Sequence, residues 1–86
     1  MFHRIISVQP LPEYRLAVGF ADGSTRHYDM RELIRHEQAF APLADESLFR
    51  RVRLDAGGYG LSWNDDIDIS CNELWENGVA VSRLVA

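Results

Sequence analysis

Apolar and polar positions alternate most clearly around residues 14–20, where Tyr14, Leu16, Val18 and Phe20 share one face at period two. A β-branched run, Ile5-Ile6-Ser7-Val8, precedes them and is expected to stop at Pro10 and Pro12. Asp22-Gly23 tolerates the positive φ of a tight turn, and Ser24 to Tyr28 returns as the partner strand. The pattern then changes period. Asp29 with Glu32 three residues on has capping-box spacing, and Met30, Leu33 and Ile34 give one apolar face of a short helix. Phe40 and Leu43 lie in an irregular stretch around Pro42, and Asp45 is placed to cap a second helix with Leu48, Phe49 and Val52 inward.

Alternation resumes in the second half. Arg53-Leu54-Asp55 starts a strand, Gly57-Gly58 turns the chain, and Tyr59, Leu61 and Trp63 alternate on the return. Asn64-Asp65-Asp66 is a polar turn before Ile67 and Ile69. Ser70 and Glu73 repeat the capping-box spacing and open a third helix, with Leu74 and Trp75 inward and Gly78 as its C′ residue. The tail from Val79 to Ala86 either packs on the body or forms an edge strand open to another chain. The expected class is α+β: a small antiparallel β-sheet of two hairpins packed with short helices, a single domain over residues 1–86.

Composition narrows the function classes. The chain has 86 residues, and its nine basic residues are all arginine against 13 acids, for a net charge of −4. A polybasic nucleic-acid binder is expected to be cationic. A disulfide scaffold needs paired cysteines, and Cys71 stands alone. No apolar run reaches the ~20 residues of a membrane span. Met1-Phe2-His3-Arg4 lacks a signal peptide's apolar region, so the expectation is a cytoplasmic chain without membrane contact. Charge is uneven: residues 1–54 hold eight arginines and seven acids, whereas residues 55–86 hold Arg83 and six acids.

Candidate chemistry is sparse. Asn64, Asp65, Asp66 and Asp68 do not fit a calcium loop. From Asn64, positions six and twelve hold Ile69 and Trp75 instead of glycine and glutamate; from Asp66 they hold Cys71 and Asn77. Gly57, Gly58 and Gly60 match no phosphate loop, since no lysine exists and Trp63 stands where a dinucleotide fingerprint needs its third glycine. His3, His27 and His36 lack the spacing of a zinc pair. No catalytic residue, metal ligand or cofactor is therefore expected. Cys71, in the first turn of a helix, is placed where backbone N–H groups would lower a thiol's pKa, but no histidine is near it in sequence, and the leading reading is a small, semi-buried residue. The candidate interaction residues are the basic cluster Arg50, Arg51 and Arg53, the acidic Asp65, Asp66 and Asp68, and Trp63, an anchor by type if exposed.

The order Val8-Gln9-Pro10-Leu11-Pro12, Phe20-Ala21-Asp22-Gly23, Tyr28-Asp29-Met30, Phe40-Ala41-Pro42-Leu43-Ala44-Asp45, Leu48-Phe49, Trp63, Ile67-Asp68-Ile69 and Leu74-Trp75 resembles a bacterial family, domain of unknown function 2442. The likeness covers residues 3–77, leaving 78–86 as a tail. Cys71 stands where family members often have proline. The resemblance implies a small α+β domain with no established activity and no functional residues to carry over. It also implies a gene beside that of another small protein, an arrangement similar to toxin–antitoxin modules. Some relatives carry a helix-turn-helix region, which this length is expected not to include. The leading expectation is a protein–protein interaction module, the antitoxin-like member of a two-gene pair, with another small protein or a second copy as partner. The alternatives are a nucleic-acid-associated regulator using the three arginines, or a small enzyme with a site at a dimer interface around Cys71 or the Asp65–Asp68 carboxylates.

Overall fold

A computed structural model describes residues 3–81. In chain order the elements are β1 (Ile5–Leu11), β2 (Arg15–Phe20), β3 (Thr25–Asp29), α1 (Arg31–His36), α2 (Glu46–Phe49), β4 (Arg53–Leu54), β5 (Gly60–Asn64), β6 (Ile67–Ser70), α3 (Cys71–Asn77) and β7 (Val79–Ala80). Short 3-10 segments cover Gln38–Ala44 and Ala56–Gly58. The strands form two antiparallel sheets, β1-β2-β3-β7 and β4-β5-β6, so the class is α+β.

One core lies under both sheets. Leu16, Val18 and Phe20 enter it from β2, and Tyr28, opposite Leu16, from β3; Leu61, Trp63, Ile67 and Ile69 enter from the second sheet. Met30 and Leu43 close it from the connections, Phe49 from α2 and Leu74 from α3. Each such side chain contributes roughly 1.5–3 kcal/mol by leaving water. Trp63 also donates its indole N–H to the Phe49 carbonyl at 2.9 Å, which fixes α2 against β5. Trp63 is thus a core residue, only 3% accessible, so the exposure on which its candidacy as an interaction anchor depended is not met.

Local chemistry departs from the expected pattern at definite places. β1 runs through Pro10 to Leu11, because it is an edge strand and Pro10 needs no N–H on its outer side. Tyr14 is not part of β2. Glu13 and Tyr14 have φ of 64° and 58° and turn the chain between β1 and β2. Tyr14's hydroxyl then reaches the Ala44 carbonyl and its ring meets Phe49 edge-on at 5.3 Å. The capping box at Asp29 does not form: α1 starts one residue later, and Glu32 turns to Arg35 and His36. Asp29 instead accepts the Arg31 amide and chelates its guanidinium, which holds the carboxyl below its ordinary pKa.

The other caps hold. Asp45 accepts the Ser47 amide at the start of α2, and Ser70 accepts the Glu73 amide at the start of α3. Glu73's own carboxylate points to the Tyr28 hydroxyl (2.8 Å) and to Asn77. Burial and that carboxylate raise the Tyr28 phenol above its ordinary pKa. Gly78 ends α3 in an extended, not left-handed, conformation, and the chain returns as β7 beside β3. The tail therefore packs on its own body as far as Val81, whose amide donates to Thr25; residues 82–86 lie outside the described residues.

Candidate interaction surfaces

The first surface is built on the smaller sheet. Register places Arg53 opposite Ser62, and Ser62 opposite Asp68. Directly opposed residues share a face, so Arg53 and Asp68 flank Ser62 on the same side, about 10 Å apart across two strand spacings. Ser62 is buried between them and donates to Asp55 at 2.7 Å. Arg50 and Arg51 follow α2 directly, and both are exposed. Asp65 and Asp66 form the β5–β6 turn, closed by Asn64, whose side-chain oxygen accepts the Asp66 and Ile67 amides. Among the described residues none of Arg50, Arg51 and Arg53 forms an ion pair. The structure thus brings Arg53 and Asp68 onto one sheet face without joining their charges.

The second surface has no precursor in the sequence reading. His3 stacks on Trp75 with ring centroids 3.5 Å apart and planes 10° from parallel. Arg26 covers Trp75 at 4.2 Å, and Phe20 meets it edge-on at 4.9 Å. Arg26 lies opposite Val18, so a cation stands on the core side of β3. Its Nε is buried without a hydrogen-bond partner, one terminal nitrogen reaches the Gly78 carbonyl at 3.3 Å, and the indole face meets its charge. The open cleft beside this group has a volume of about 630 Å³ and is bordered by Arg4, Asp22 and Tyr59. No local pattern links His3 to Trp75, because they meet only through the tertiary fold.

A profile for the family described as protein of unknown function (DUF2442) matches residues 5–80. The chain belongs to that family. No curated protein and no solved structure matches the DUF2442 chain. Both surfaces draw on the matched span, although His3 and Arg4 precede it. Among the described residues of this DUF2442 protein, no helix is long and apolar enough to cross a membrane, and no three His, Cys, Asp or Glu side chains gather to hold a metal ion.

Cys71 is a small buried residue, as its leading sequence reading expects, and the alternative of a helix-activated thiol is not met. It opens α3 as the sequence implies, but it is buried and its thiol donates to the His3 carbonyl at 2.8 Å. Burial raises the thiol pKa, the opposite of activation. The helix end does not lower it because the thiol points into the body, towards the segment before β1. Cys71 ties the start of α3 to the segment before β1 and is not poised as a nucleophile.

Proposed function

We propose that this protein is a protein–protein interaction module, the antitoxin-like member of a two-gene pair. The observation that carries the reading is the charged face of the smaller sheet. Arg50, Arg51 and Arg53 are exposed and form no ion pair among the described residues, with Asp68 on the same sheet face as Arg53. Complementary charge steers association and rejects wrong partners more than it adds affinity. A surface carrying both signs suits a protein of mixed charge. The gene neighbourhood implied by the family resemblance supports the same choice.

The test is co-expression with the product of the neighbouring open reading frame, followed by size-exclusion chromatography. A single complex is expected at micromolar concentration. Separate elution of the two proteins would count against the reading.

The same arginines favour a second reading, a nucleic-acid-associated regulator, since guanidinium groups pair well with phosphate. It predicts binding to a DNA or RNA duplex that weakens steeply with salt. The nearby Asp68 carboxylate opposes it by repelling phosphate, so the protein partner is preferred.

A further inference from the structure

We infer that His3 and Arg4 form a strap over α3, one that opens as a small local unit while both sheets stay folded, and so uncovers a face of Trp75. One face of α3 supplies the grip. Cys71 and Trp75 are four residues apart, about one helical turn, so their side chains are neighbours. Both take hold of the same residue. The Cys71 thiol donates to the His3 carbonyl at 2.8 Å, and the Trp75 indole stacks on the His3 ring at 3.5 Å. Each hold is light, since a thiol is a weak donor and a single aromatic stack adds modestly to burial.

The strap has a definite hinge. The Arg4 carbonyl accepts the Ala21 amide at 2.8 Å, and the next residue, Ile5, is buried and paired with Phe20. Motion therefore ends at Arg4, and His3 leaves without breaking a strand pair. Trp75 does not depend on His3 for its place: Phe20 meets it edge-on at 4.9 Å and the Arg26 guanidinium covers it at 4.2 Å. The helix is anchored separately as well. Leu74 is fully buried, the Cys71 amide donates to the Tyr59 carbonyl, and Glu73 accepts the Tyr28 hydroxyl. Opening thus breaks the two light contacts and returns freedom to the chain, which is how segments with few buried contacts open ahead of the whole.

Closed, the strap lies between the thiol and solvent. His3 and Arg4 border the open cleft, whereas Cys71, 5% exposed, does not. His3 also occupies one face of Trp75 while Arg26 occupies the other. Open, the strap gives Trp75, by type an interface anchor, a free face beside the cleft. The His3 contact is in that sense autoinhibitory. Neither the strap nor its opening depends on what the charged face of the smaller sheet binds.

Cys71 is the chain's single cysteine, so its labelling by an aromatic disulfide reagent reports opening. The full chain is labelled at mildly alkaline pH, where the rate is proportional to reagent, with urea raised in steps below the unfolding transition. Labelling is expected to be about 5–100-fold slower than in the urea-unfolded chain. It should be nearly independent of urea, because opening exposes little surface. His3→Ala should raise the rate at least about three-fold, whereas His3→Phe keeps the stack and should stay close to wild type. His3→Ala should also make tryptophan fluorescence more quenchable by acrylamide, since Trp63 is buried and Trp75 gains the face. Trp63→Phe weakens the whole fold and should leave labelling unchanged. A rate that climbs with urea at the slope of global unfolding, or that climbs in the Trp63 variant, would overturn the inference, because only complete unfolding would then expose the thiol. So would protection below about two-fold, which means a strap that never closes. Unchanged labelling or unchanged quenching in His3→Ala would overturn it too.

Discussion

Replacing Gly58 with alanine is expected to destabilise the fold far more than the same change at Gly57. Both glycines are left-handed, with φ of 76° and 83°, so each alanine incurs about 1–2 kcal/mol of backbone strain. Each also stiffens the unfolded chain, which offsets about 0.4–1 kcal/mol of that. The two sites differ in what the new Cβ meets. At Gly57 it meets the ring of Tyr59, an exposed side chain that can turn away. At Gly58 it runs into the Ile5 carbonyl oxygen as well as the Arg4 stem. Ile5 is 2% exposed and pairs with Phe20, so its backbone moves only if β1 and the core move with it. Overpacking of that kind costs about 1–3 kcal/mol. Taking the middle of each range, the net losses come to about 1 kcal/mol for G57A and about 3 kcal/mol for G58A. Urea unfolding followed by tryptophan fluorescence reads the difference. With a slope of about 1 kcal/mol/M, the midpoint should fall by about 3 M in G58A and by about 1 M in G57A. Equal falls would refute the claim that the Gly58 turn is pressed against β1.

Three further outcomes follow from other sites. Glu13→Gly should stabilise by about 0.5–1 kcal/mol in the same assay, because glycine relieves the left-handed strain in the β1–β2 turn and the ion pair lost with Arg31 is exposed. Trp63→Phe should cost about 1–3 kcal/mol, since it leaves the Phe49 carbonyl without its buried donor; a loss confined to a few tenths would show that water replaces the indole. Stability should decline as pH rises above the ordinary thiol range. Burial raises the Cys71 pKa, so the unfolded thiol ionises first and draws the equilibrium towards unfolding. Cys71→Ala should flatten that alkaline decline, and an unchanged pH profile would show that the thiol does not contribute to it.

Much of the fold was legible because it is written in local periodicity. Leu16, Val18 and Phe20 alternate, and all three are buried. Asp45 and Ser70 carry cap chemistry and serve as caps. The reading failed where a tertiary contact overrode a local rule. Tyr14 continues the alternation by type, but its ring and hydroxyl are claimed by Phe49 and Ala44, and it leaves the strand. Tyr59 continues the Leu61–Trp63 alternation, yet two left-handed glycines put it in a turn and on the surface. Arg26 gives no sign of its place on the core side, because only the stacking of Trp75 makes that place tolerable. The charged candidates were found by residue type, but that Arg53 and Asp68 share a sheet face needed the register through Ser62.

The central claim is that the charged face of the smaller sheet binds a protein. Calorimetric titration of the full chain with the product of the neighbouring open reading frame tests it most directly, using wild type and the R50E/R51E/R53E variant. The account predicts a saturable complex with a Kd in the micromolar range or tighter, weakened at least about ten-fold, or about 1.4 kcal/mol, in the variant. Wild type showing no binding at tens of micromolar, or a folded variant that binds equally well, would contradict it.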